Sequence, residues 1–270
     1  MDENLLMHAA WDAVFAGGNC LIQRNTLLHQ SVLLNRSDSR LVREPDVVVG
    51  EEIKRILERT GFLVFSEEVD DPISRGSAQG FWWVDPIDGT RGYLAGEKEY
   101  GISVGFVACD NVPQLGVVYQ PAYSKLFYGS STKGAKLRDI SAGVEYPLAV
   151  SSRAGADLVG VLGSHSFSEM ERFYSGLDLS ARYGPIGSFT AKVLAVVEGR
   201  GDVYVKLGNK CNAWDSCAVE VILREAGGRI TDLEGKMLKY NVSDPNFNNG
   251  ILVSNGVYHE LLVEKLRKLC

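Results

Sequence analysis

The sequence is short of the residues that soft-metal and disulfide chemistry require. Its 270 residues include four histidines and five cysteines, all dispersed, with none of the close Cys/His spacing of a zinc site. The odd number and scatter of Cys20, Cys109, Cys211, Cys217 and Cys270 argue against a disulfide framework and fit reduced thiols in a cytoplasmic protein. Basic residues are in deficit, 28 Lys and Arg against 34 Asp and Glu, for a net charge of −6. Neither a nucleic-acid polymer nor an anionic membrane is therefore expected as the main partner, although local cations can still hold a small anionic substrate. No apolar run approaches the roughly 18 residues that span a bilayer, and the start "MDENLLMHAAWDAVFAGG" is acidic where an export signal is basic. Repeats and low-complexity tracts are lacking as well.

What remains is an ordinary globular composition, 45% hydrophobic and 23% charged, sufficient for one large domain or two small ones. Residues 3–34 read as one or two helices with a kink at Gly17-Gly18. A polar loop, "NRSDSRLVREPD", leads into "DVVVGEEIKRILERTG", a helix with Asp46 as N-cap and Gly61 as stop. "FLVFSEE" and "GFWWVDPIDGT" are apolar strands that run straight into carboxylates, and residues 100–129 continue as strands. In the second half, helices over 166–174, 190–198, 214–226 and 257–269 alternate with strands near 159–163 and 202–205, a short hairpin "GRITDLEGKML" and a strand "NGILVSN". The pattern predicts a layered α/β protein, with an α+β first half (1–148) and an α/β second half (149–270) packed as one body.

Three apolar segments end in acid: Glu67 after "FLVFS", Asp85 and Asp88 after "FWWV", and Asp215 in "NAWDSCAVEVILREAGG". Each has a purely structural reading when taken singly. Asp85 and Asp88 make an Asx turn around Pro86, Asp215 favours the first turn of an amphipathic helix, and Glu67 with Glu68 lies in a solvated loop. At converging strand ends, however, such carboxylates repel one another by several kcal/mol unless cations neutralise them. Oxygen donors without His or Cys select Mg²⁺ or a similar ion. Asp85 and Asp88, around one tight turn, can share two ions as in two-metal phosphoryl chemistry. Gly89 lets the backbone approach a ligand, and a helix starting after Thr90 offers free N–H groups to a phosphate.

"WWVDPIDGT" together with "AWDSCAVEVILREAGG", about 130 residues further on, resembles the two signature motifs of the magnesium-dependent, lithium-sensitive phosphatases of the inositol monophosphatase superfamily. "SEE" and "SDSRLVREPD" fall where that family has counterparts, so the resemblance runs over most of the chain. It implies the αβαβα sandwich of inositol monophosphatase and fructose-1,6-bisphosphatase, two or three Mg²⁺ ions per site, and hydrolysis by a metal-activated water. Residue by residue, it implies Glu67, Asp85 and the Ile87 carbonyl as ligands of a first metal, and Asp85, Asp88 and Asp215 as ligands of a second. Asp46 would orient Thr90, Thr90 would position and deprotonate the attacking water, and the N–H groups of Gly89 and Thr90 would hold the phosphate. One loop departs from the family: "VREPD" has Arg43 where a threonine is usual and Pro45 ahead of Asp46. A homodimer is a further family-level expectation.

"DGTRGYLAGEKEYGISVGFV", the Ser-His-Ser of "VLGSHSFSEMERF" and Lys192 in "GSFTAKVLAVVEGRGDVYV" resemble the 3′(2′),5′-bisphosphate nucleotidase branch. That resemblance implies Arg91, His165 and Lys192 as cations around a small phosphorylated substrate, adenosine 3′,5′-bisphosphate. Taken singly, Arg91 is a surface ion-pair partner, His165 a capping or core histidine, Lys192 a solvated helix residue, and Trp214 a packing residue. Two other readings stay open, an inositol monophosphatase or broad sugar phosphatase, and a non-catalytic nucleotide- or metal-binding protein of the same fold. The altered "VREPD" loop favours the last, and Thr90 beside the carboxylates argues against it.

Overall fold

The computed structural model describes residues 2–31, 39–67, 79–163, 167–177, 179, 181–208, 211–240 and 244–269. Two sheets organise them. The first runs in chain order through β1 (Leu63–Ser66), β2 (Gly80–Asp88), β3 (Gly101–Ala108), β4 (Pro113–Gln120), β5 (Lys125–Ser130), β6 (Gly134–Asp139) and β7 (Val144–Pro147). β1 is parallel to β2, and all later neighbours are antiparallel. The second holds β8 (Val159–Gly163), β9 (Ala181–Ile186), β10 (Val203–Lys206), β11 (Arg229–Thr231) and β12 (Ile251–Ser254), arranged β11-β12-β10-β8-β9.

Helices fill the layers. α1 (Glu3–Ser31) and α2 (Ser39–Leu57) cover one face of the first sheet, and α3 (Thr90–Leu94) is a short turn after β2. α5 (Phe189–Val197) and α6 (Ala213–Glu225) lie between the sheets, while α4 (Phe167–Gly176) and α7 (His259–Leu269) back the second. This is the expected αβαβα sandwich. β2 is sandwiched on both faces, which is why it reads as an unbroken apolar run. Trp82 and Val84 join the core under α1 and α2, whereas Phe81 and Trp83 join the core around α5 and α6.

A row of glycines seats α6. Gly105, Gly116 and Gly129 are register partners across β3, β4 and β5. A Cβ at Gly105 would come 2.5 Å from Cys217 Sγ, one at Gly116 would overlap the Ala218 carbonyl, and one at Gly129 would lie 3.1 Å from Ile222 Cα. The helix therefore rests directly on strand backbone, which brings its first turn to the end of β2.

Several local expectations are corrected. α1 runs unbroken through Gly17-Gly18; the pair serves close packing, since a Cβ on Gly18 would come 2.5 Å from Tyr119. Its segment Glu3–Arg24 is long and apolar enough to cross a membrane by length and composition, so such a run does exist. Here Leu6, Met7, Ala10, Ala13, Val14 and Leu21 of that segment are buried in the core beneath the first sheet. α2 begins at Ser39, inside the expected polar loop, and carries Pro45 within it. Asp46 is therefore not an N-cap; proline's fixed φ is helical, and its missing N–H forfeits only one bond. The expected hairpin at 228–238 is not formed, because β11 pairs with β12 instead. β6, β7 and β9 were not anticipated.

Candidate active site

β2 ends at the site. Its pairing with β3 is regular to Asp85–Ser103 and resumes at Asp88–Gly101, with an irregularity between. Within it the Ile87 N–H donates to Asp85 Oδ1 at 3.0 Å, so an Asx-type turn is indeed present. Asp85 and Asp88 are 2% and 6% exposed. Gly89 follows at φ 90°, and a Cβ there would come 2.9 Å from the Glu99 carbonyl, so only glycine passes the chain into α3 without strain. Thr90, first residue of α3, has its Oγ1 2.9 Å from the Ile87 carbonyl and 3.2 Å from Asp46 Oδ1. One hydroxyl hydrogen thus has two acceptors.

The second half of the chain grips the other carboxylates. Asp88 Oδ2 accepts from Ser188 Oγ at 2.5 Å, from the Thr190 N–H at 2.6 Å and from the Thr190 hydroxyl, while its Oδ1 accepts from the Phe189 N–H at 3.0 Å. Ser188 is also the N-cap of α5, accepting from the Ala191 N–H at 3.0 Å. The free donors and dipole of that helix end thus hold the Asp88 charge. In the first turn of α6, Asp215 Oδ2 accepts from the Asn212 N–H at 2.7 Å, the capping arrangement expected from its position.

Asp85 has no comparable relief. Its carboxyl is pushed well above the usual range, first by burial and then by the charges of Glu67, Asp88, Asp215 and Asp46. Asp215 is raised to about 6, by burial and then by Asp88, against the Asn212 N–H and Lys206. The residues responsible identify a convergence of carboxylates drawn from β1, β2, α2 and α6, with Glu67 at its exposed edge. Among the described residues no three such side chains already clasp a common centre; Asp88 and Asp215 accept from protein donors. The donor set nevertheless fits a hard cation: it is all oxygen, and several carboxylates crowd the buried Asp85.

Lys192 is buried, 6% exposed, which removes the reading of a solvated helix residue. Its Nζ donates to the Gly187 carbonyl at 2.8 Å and stands 5.4 Å from the centre of the Tyr204 ring. Burial pulls its ammonium down to about 8, and Asp88 opposes that fall. Arg91 is exposed on α3. His165 and Glu68 lie outside the described residues. The Trp214 ring packs 5.8 Å from that of Trp83. Sequence reasoning missed Ser188, Thr190, Asn212 and Lys206. "GSFT" before an apolar run is an N-cap signature, but nothing local says that the cap also binds Asp88.

Solved structures match this architecture. Inositol monophosphatase-II of Staphylococcus aureus MSSA476 superposes with a TM-score of 0.78 at 23% identity, over 98% of this chain and 94% of that one. CysQ of Bacteroides thetaiotaomicron gives 0.75 at 23% identity, over 92% and 96%. These likenesses establish a fold shared with inositol monophosphatase-type phosphatases. The sequence model of the inositol monophosphatase family matches residues 7–269, and the chain belongs to that family. The 3′(2′),5′-bisphosphate nucleotidase CysQ of Aggregatibacter actinomycetemcomitans is 30% identical over 243 residues, 86% of each chain. Histidinol-phosphatase of Mycobacterium tuberculosis is 28% identical over 242 residues, again 86% of each. Mouse 3′(2′),5′-bisphosphate nucleotidase 1 is 28% identical over 176 residues, and the match spans 56% of its length.

Proposed function

We propose that the chain is a Mg²⁺-dependent phosphomonoesterase that removes the 3′-phosphate of adenosine 3′,5′-bisphosphate. The observation that carries this reading is the convergence of Asp85, Asp88, Asp215 and Glu67 beside the Asp46–Thr90 pair. Glu67, Asp85 and the Ile87 carbonyl would hold one ion, and Asp85, Asp88 and Asp215 a second. When bound, Mg²⁺ supplies charge neutralisation and Lewis acidity toward phosphoryl oxygens.

The chain's own residues do the rest. The N–H groups of Gly89 and Thr90 orient the phosphate being cleaved. The Thr90 hydroxyl hydrogen goes to Asp46, so the Thr90 oxygen accepts from the attacking water and aims its lone pair at phosphorus. The water oxygen bonds to phosphorus, and the bond from phosphorus to the 3′-oxygen breaks with its electron pair on that oxygen. The 3′-oxygen takes up a proton from solvent water, the attacking water's proton passes through Thr90 toward Asp46 and is returned to solvent, and AMP and inorganic phosphate result. Lys192 receives the second phosphate together with Arg91 and His165, as an acidic protein must supply such cations locally.

The nucleotidase relative at 30% identity supports this substrate. The histidinol-phosphatase relative, of equal coverage, favours a second reading, a small phosphate monoester. A structural neighbour from the same family of folds has been solved with 2′AMP and with inositol monophosphate. Phosphate release from adenosine 3′,5′-bisphosphate, inositol 1-phosphate, histidinol phosphate and fructose 1,6-bisphosphate, compared at fixed Mg²⁺, decides between them. The highest kcat/KM is expected for the nucleotide. A higher value for a monoester overturns the substrate, and release from none of them points to a non-catalytic binding protein.

A further inference from the structure

Tyr240 lies outside the carboxylate cluster, yet it touches both elements that supply most of it. Its carbonyl accepts from Trp83 Nε1 at 3.2 Å, and Trp83 stands two residues before Asp85 in β2. Its hydroxyl donates to Glu220 Oε2 at 2.5 Å and lies 3.1 Å from Ser216 Oγ. Ser216 and Glu220, four residues apart, share one face of α6. Ser216 Oγ also donates to the Asn212 carbonyl at 3.3 Å, and the Asn212 N–H is the donor that holds Asp215. The chain beyond Tyr240 flanks the same residue: the Pro245 carbonyl accepts from the Ala213 N–H, and the Phe247 N–H donates to the Cys211 carbonyl, both at 2.9 Å.

Nothing in the proposed chemistry uses Glu220, Tyr240 or the Ser216 hydroxyl, although all three residues are buried. A buried carboxyl without hydrogen bonds is costly, so this network has to earn its place structurally or functionally. The seat of α6 gives it a function. A helix lying on glycine backbone can approach closely, and at its first turn the Trp214 ring packs on Trp83. Directional hydrogen bonds at its first two turns add a fixed position to that packing.

We infer that Tyr240, acting through Ser216 and Glu220, is a positioning residue that sets Asp215 of α6 against Asp85 of β2 and so tunes metal affinity. The inference rests on the metal-holding reading of those carboxylates. Calorimetric titration with Mn²⁺ of the wild-type protein and of Tyr240→Phe, Ser216→Ala and Glu220→Gln tests it, with a thermal melt of each. Tyr240→Phe and Ser216→Ala are expected to lower Mn²⁺ affinity roughly tenfold, while KM for the substrate at saturating metal stays within about twofold. Glu220→Gln keeps an oxygen to accept from Tyr240 and is expected to bind Mn²⁺ as the wild type does. Wild-type affinity in Tyr240→Phe and Ser216→Ala, with only the melting temperature lowered, overturns the inference. If Tyr240→Phe does not fold, Ser216→Ala carries the comparison. A wild-type protein that binds no Mn²⁺ overturns the metal reading itself, and this inference with it.

Discussion

The end of β2 and the N-termini of α5 and α6 treat carboxylates in opposite ways. At β2, Asp85 receives the Ile87 N–H of its own turn, while burial and then neighbouring carboxylates raise its affinity for a proton. Three residues on, Asp88 is held by two N–H groups and two hydroxyls from α5, and Asp215 is held by Asn212. The first sheet concentrates charge, and helices from the second half absorb part of it. The charge crowded around Asp85 is what a hard cation would neutralise. The site is thus a product of the contact between the halves, and neither half holds it alone.

Removing the shared charge should break this division most severely. Asp88→Asn keeps the side chain's shape but withdraws a charge that serves both regions. Turnover is expected to fall roughly a thousandfold or more, with the circular dichroism spectrum intact, as checked by phosphate release. Turnover at the wild-type level would end the two-metal assignment.

The contact itself can be wedged apart. Gly116→Val puts a branched Cβ in overlap with the Ala218 carbonyl oxygen. A stability loss of about 2–3 kcal/mol is expected in urea unfolding, together with lower turnover, because α6 carries Asp215. Unchanged stability would mean that the helix does not depend on the glycine row.

Removing cations probes the charge that α6 shares with β2, since Asp215 on α6 is raised by burial and by Asp88 of β2. The Asp215 pKa is raised from 3.8 to about 6, so the metal-free native state binds this proton more tightly than the unfolded chain. Its contribution is fully present below the lower value and is lost as pH rises through about 6, so metal-free stability should decline across that window. Metal binds the deprotonated form, so Mg²⁺ affinity should climb roughly tenfold per pH unit for each proton released, levelling off above the native pKa. Melts in EDTA and in Mg²⁺ across this window measure both slopes. Buried His259, lowered to about 4, contributes the opposite slope, so the comparison is with Asp215→Asn: a metal-free slope in that variant equal to the wild type's would contradict the raised Asp215 pKa.

How much of this was legible follows from where the contacts lie in the chain. Asp85, Ile87, Asp88, Gly89 and Thr90 occupy one contiguous strand and turn, so residue type and spacing describe their geometry. Asp215 was legible as the first-turn acid of an amphipathic helix. The grip of Ser188 and Thr190 on Asp88 spans about a hundred residues, and no local pattern encodes such a contact. Gly105, Gly116 and Gly129 are spaced 11 and 13 residues apart, and only strand register aligns them under α6. Asp46 was misread as a cap because Pro45 signals a helix start, whereas α2 had already begun at Ser39.

The smallest effects separate the two described cations proposed for the second phosphate, one from each region. Lys192 sits in the second half, buried, its ammonium over Tyr204 and its charge felt by Asp88. Arg91 stands exposed on α3, next to the β2 turn. A desolvated cation interacts strongly with an anion placed beside it, while an exposed one is screened by water and salt. Lys192→Met is therefore expected to raise KM for the bisphosphate roughly tenfold, with little change for a phosphate monoester. Arg91→Ala should change the same KM by less than about threefold, and less still as ionic strength rises. Michaelis constants for both substrates at two salt concentrations supply the measurement. The reverse ranking would move the second-phosphate pocket from α5 to α3, leaving recognition as well as charge to the first half of the chain.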